Sequence, residues 1–125
     1  MADVSRKEPL IRSREKTEAT ECPFGHVQRI VTGGAGGVAN VHVVRVTSGL
    51  AHVHAAYDEV YYVLSGQGTI TLDDQTHALS PGTVAVIPAG VAHSLEADPG
   101  SELEFIIFGT PAMAIDDERA RPKKV

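Results

Sequence analysis

"GLAHVHAAYDEVYYVLSGQG", residues 49–68, sets His52 and His54 one residue apart, Glu59 five residues further on and Gly66 after it. Polar, metal-philic side chains are costly inside an apolar, strand-forming segment unless something there satisfies them. On a strand, alternate residues share a face, so His52 and His54 project together while Val53 points away. The short connection "AAYD" swings the next strand back, and Glu59 and Tyr61 have the same parity on it.

A second segment, "GTVAVIPAGVAH", residues 82–93, reads as a strand, a tight turn at Pro88 and Gly90, and a return strand that delivers His93. The stretch between the segments, Gln67 to Pro81, is long enough for a hairpin that brings them side by side.

The remainder of the chain fits the same architecture. HVQRIV, ANVHVVRVT, GTITLD, THAL, VAHSLE and ELEFIIFG are short strand-like runs separated by turn residues. Twelve glycines, seven prolines and no long helical pattern predict an all-β domain, a sandwich or a barrel. Leu103, Phe105 and Ile107 alternate with more polar neighbours and are expected in the core, as are Val63, Ile70, Leu72, Val84 and Val86. "GGAGG", residues 33–37, lacks the Lys-Ser/Thr of a phosphate loop and reads as a hairpin connection.

Charge is laid out unevenly. Nine of the eleven Lys and Arg fall in residues 1–20 and 116–125, leaving only Arg29 and Arg45 between them. Nine acidic residues in that middle section give it a charge of about −7, which disfavours a groove for nucleic acid or another polyanion. Any anionic substrate must lean on Arg29, Arg45 or a bound cation. Apolar runs are too short to span a bilayer, and the single cysteine, Cys22, excludes an internal disulfide, so a soluble cytoplasmic protein is expected. The expected organisation is a charged N-terminal arm over 1–25, a barrel over 26–109 and a charged C-terminal tail over 110–125.

Together, His52, His54, Glu59 and Gly66 in the first segment, and Gly82, Pro88, Gly90 and His93 in the second, resemble the paired motifs of the cupin superfamily. Two positions depart from its pattern: Val46 stands where a glycine would precede the first histidine, and Ala97 where an asparagine would close the second motif.

The resemblance implies a single double-stranded β-helix, a jelly-roll barrel. It also implies one divalent transition metal (Mn, Fe, Ni, Zn, Co or Cu) on His52, His54, Glu59 and His93. Three imidazoles and a carboxylate form a donor set of intermediate softness, and on an octahedral ion they leave positions open for water or substrate.

The expected function is a metal-dependent enzyme of oxygenase type, a dioxygenase, acting on a small chelating molecule. Glu59 would act as base and Tyr61 as proton donor. The alternatives are an isomerase or lyase acting on a sugar or keto acid, and a non-catalytic small-molecule sensor. A homodimer is expected, with the N-terminal arm lending a strand to its partner, and neither nucleic acid nor membrane is a partner. His26, His42 and His77 read as surface or supporting residues, Tyr57 and Asp58 as turn-shaping, and Arg45 as facing water.

Overall fold

The computed structural model describes residues 7–22, 24–46, 52–54, 56–112 and 123–124, and at 52–54 and 123–124 the description covers the backbone. The strands are β1 (Ala19–Cys22), β2 (Gly25–Val31), β3 (Asn40–Val46), β4 (His52–His54), β5 (Asp58–Ser65) and β6 (Gly68–Leu72). They continue with β7 (Gln75–Leu79), β8 (Val84–Ile87), β9 (Ala92–Ala97), β10 (Leu103–Thr110) and β11 (Lys123–Lys124).

Among the described residues, one sheet runs β1-β2-β3-β10-β5-β8 and the other β11-β4-β9-β6-β7. All the pairings are antiparallel, in keeping with the two-sheet, all-β fold expected.

Alternation decides what enters the core. On β10, Leu103, Phe105 and Ile107 are buried, and through their partners they fix the inner rows. One row runs Val27, Val44, Phe105, Val63, and the next runs Arg29, His42, Ile107, Tyr61, Ala85. Ile70, Leu79 and Leu95 close the core from the second sheet.

Two core expectations are corrected. Val84 and Val86 are 55% and 63% exposed, because β8 pairs Ala85 with Tyr61 and Ile87 with Glu59, and that register turns Ala85 and Ile87 inward.

The glycine-rich connection is a hydrogen-bonded turn in which the Gly37 amide donates to the Thr32 carbonyl at 2.9 Å, and it joins β2 to β3 as a hairpin.

The charged ends contribute more structure than an arm and a tail. Residues 14–16 form a 3₁₀ turn capped by Ser13, and β1 pairs with β2 of its own chain. Arg14 donates to Gln28 Oε1 at 2.7 Å and bonds Glu104, strapping this segment over the outer face of the first sheet. A groove of about 580 Å³ opens beside the strap, on the side of the sheet away from Glu59. Phe24, after β1, is buried in the core, so the packed body begins before residue 26. At the other end, β11 adds to the β4 edge, Lys123 opposite Val53 and Lys124 opposite His52. No helix among the described residues is long and apolar enough to cross a membrane.

Gly66 and Gly82 both adopt positive φ, but in different surroundings. A Cβ at Gly66 would run into the carbonyl oxygen of Glu102, whereas Gly82 faces open space. Gly66→Ala therefore costs about 2–4 kcal/mol, from backbone strain and overlap together. Gly82→Ala costs about 1 kcal/mol, from strain alone. Thermal unfolding followed by circular dichroism checks this, and equal shifts for the two variants contradict it.

Candidate metal centre in the barrel interior

Glu59 on β5 and His93 on β9 come from different sheets and meet inside the barrel. Glu59 is 6% exposed and His93 is 1% exposed. Carboxylate Oε1 lies 3.6 Å from imidazole Nε2.

The other ring nitrogen fixes the chemistry of that approach. His93 Nδ1 is 3.1 Å from the carbonyl oxygen of Val91, which can only accept, so Nδ1 carries the proton. In the neutral ring Nε2 then offers a lone pair towards Glu59. Two electron-rich atoms facing each other at this distance suit a shared cation, either a proton or a metal ion. A histidine that donates its second ring N–H to a backbone carbonyl is the usual arrangement behind a metal-ligating imidazole. Glu59 and His93 are thus two donors of the kind that a divalent transition metal accepts.

Tyr61, two residues beyond Glu59, donates its hydroxyl to Glu59 Oε1 at 3.2 Å. Its ring stacks on Phe105 at a centroid distance of 4.7 Å and meets His93 edge-on at 5.9 Å. Burial, reinforced by the charge of Glu59, holds the Tyr61 hydroxyl well above its ordinary pKa, so it stays a proton donor. Phe24 lies 6.2 Å from the His93 ring and closes the apolar side.

β4 runs beside β9 with Val53 opposite His93 and His54 opposite Ala92. The side chains of His52 and His54 lie outside the described residues. Within the described residues, no three His, Cys, Asp or Glu side chains gather as a metal-holding group, and Glu59 with His93 is the pair brought together.

The two motif segments are tied at their turns, where the Ala89 amide donates to Asp58 Oδ1 at 2.9 Å. Tyr57 is buried against Gly109, where a Cβ would collide with its ring.

His26 and His77 are exposed, as expected. His42 is not: it is 2% exposed and faces inward opposite Ile107. Its parity with Val44 and Val46 is the signal that places it there. Arg45 faces outward, 3.4 Å from Glu102 and 3.3 Å from Glu104, while Arg29 lies on the inner side of β2. Cys22 packs against the core, and burial raises the pKa of its thiol, which disfavours the thiolate.

The cupin domain family matches residues 40–109. The chain belongs to the cupin family. An uncharacterized protein of Streptomyces coelicolor is 38% identical over 56 residues, covering 45% of this chain and 53% of that protein. The chain spans about half the length of the curated relatives it matches. A crystal structure of a protein from Planctomyces limnophilus is similar at 28% identity and a TM-score of 0.76, covering 87% of this chain and 94% of that one. Ectoine synthase from P. lautus has the same fold at 14% identity, with a TM-score of 0.77 and coverage of 94% and 91%.

Proposed function

We propose that this cupin is a metal-dependent enzyme of oxygenase type that acts on a small organic molecule able to chelate the ion. His52, His54, Glu59 and His93 would hold the metal. The observation that carries the reading is the buried approach of His93 Nε2 to Glu59 Oε1 at 3.6 Å, with Nδ1 already committed to Val91.

A bound divalent transition metal supplies Lewis acidity and, with a redox-active ion, a site for dioxygen chemistry. The protein's own groups do the rest. Val91 fixes the tautomer of His93, and Tyr61 holds a proton at Glu59 Oε1 from which it can hydrogen-bond a substrate oxygen. Glu59 would hold the ion and is the base of the site. Phe24, Phe105 and Ile107 keep water from the inner wall. The single thiol, Cys22, suits a reducing cytoplasm.

Isomerase or lyase chemistry on a keto acid uses the same donors without dioxygen, and a sensor would bind its ligand without turnover. Metal analysis of the purified protein, followed by oxygen uptake with chelating diols, diketones and thiols, separates these readings. About one equivalent of transition metal per chain is expected, with losses of tenfold or more in affinity for His93→Ala and Glu59→Gln. A protein that takes up no transition metal overturns the proposal.

The chain is also proposed to pair with a second copy through the outer face of its first sheet. Val86, Val60, Phe108 and Val41 form one cross-strand row there, and Val84, Tyr62, Ile106 and Val43 the next. Val84, Val86, Tyr62 and Phe108 are exposed, and contiguous apolar faces of this kind are rare on monomers. Arg45, Glu102 and Glu104 at the border carry both signs of charge, so a two-fold arrangement can pair them. Light scattering is expected to give a dimer that Val86→Glu converts to monomer. A monomeric parent protein contradicts this.

A further inference from the structure

The inner row of the first sheet that carries Glu59 runs Asn40, Gly109, Glu59, Ile87 across β3, β10, β5 and β8. Asn40, Glu59 and Ile87 are nearly free of solvent. Gly109 brings no side chain, so a space opens where the β10 neighbour of Glu59 would otherwise stand. The ring of Tyr57 fills it. A Cβ on Gly109 would lie 2.8 Å from Tyr57 Cε2 and 3.1 Å from Tyr57 Cδ2, with the Cβ of Asn40 at 3.6 Å. Gly109 is not among the glycines of positive φ, so the absent side chain, rather than the backbone, is what this position requires.

Tyr57, Glu59 and Tyr61 share one parity, and all three are buried. The carboxylate therefore belongs to a segment that sends a tyrosine inward on either side of it. Tyr61 gives its hydroxyl to Oε1, and Tyr57 lays its ring over Gly109. Ile87 bounds the Glu59 side chain on the β8 flank and the Tyr57 ring bounds it on the β10 flank, which leaves the direction across the barrel, where His93 Nε2 lies at 3.6 Å.

We propose that Tyr57 is a positioning residue, whose ring, seated in the space that Gly109 leaves, holds the Glu59 side chain in the rotamer that meets His93. This rests on the reading of Glu59 and His93 as two donors of one centre. The ring and not the hydroxyl does the holding, so phenylalanine can replace it. Without the ring, the carboxylate can turn over Gly109 and away from His93.

The test follows three readouts on the full chain: cobalt affinity, the visible absorption of the cobalt-loaded protein, and the nitrogen resonances of the His93 ring in the metal-free protein. Tyr57→Ala is expected to weaken cobalt binding about tenfold, to change the visible spectrum and to shift the Nε2 resonance. Tyr57→Phe is expected to match the parent in all three. Gly109→Ala pushes the ring aside and is expected to act as Tyr57→Ala does. In the double variant the added methyl group has no ring to strike, so the combined effect falls short of the sum of the two. Tyr57→Leu, which keeps apolar bulk without the reach of the ring, is expected to move the same readouts in the same direction, and it carries the test with Gly109→Ala if Tyr57→Ala does not fold.

If Tyr57 only fills the core, these variants lower the melting temperature and leave the visible spectrum and the His93 resonance where the parent has them, which overturns the proposal. A Tyr57→Phe protein that behaves as Tyr57→Ala also overturns it, as do effects of Tyr57→Ala and Gly109→Ala that simply add. The metal-free resonance keeps the two readings apart. A parent that takes up no cobalt, with the His93 resonance still moved by Tyr57→Ala and Gly109→Ala, sinks the metal centre and leaves this assignment standing. Full cobalt binding with every readout indifferent to Tyr57 does the reverse.

Discussion

A carboxylate and an imidazole, one from each sheet, face each other inside an apolar barrel, an arrangement that favours a positive charge between them. Glu59 and His93 do this at 3.6 Å, both nearly free of solvent. A proton or a metal ion between them would add to the hydrogen bond that Tyr61 already gives the carboxylate. Much of the surrounding structure serves to hold this pair in place.

Val91 accepts from one nitrogen of His93 and so directs the other nitrogen at Glu59. Tyr61 adds a hydrogen bond to the same carboxylate oxygen, and its own ring is fixed by stacking on Phe105. The contact between Ala89 and Asp58 locks together the turns that feed β9 and β5, so the two sheets cannot slide without breaking it. A one-residue slip in either strand would turn Glu59 or His93 to the outside. In this sense the strand registers and the candidate chemistry are one constraint, and the inward placement of Arg29 follows from the same rows.

The succession of strands along the body was legible, and Glu59 and His93 stood out as candidates, because glycines, prolines and alternating residues mark each turn and each inner face. It was silent where both faces of a strand are apolar. In "VAVI" every residue suits a core, and only the pairing of Ala85 with Tyr61 reveals that Val84 and Val86 point outward. The charged ends hid β1 and β11, since strands of that composition are held by backbone pairing rather than by a hydrophobic pattern. His42 and Arg29 were legible in principle, through parity with Val44 and Val27, but their role depends on which strands β2 and β3 adjoin, and local sequence does not specify that.

X-ray absorption at the metal edge of the cobalt-loaded protein tests the shared-cation account most directly. The account predicts a first shell of nitrogen and oxygen with outer-shell scattering from three imidazole rings, and loss of one ring's contribution in His93→Ala. A spectrum without imidazole scattering, or one that His93→Ala leaves unchanged, contradicts it.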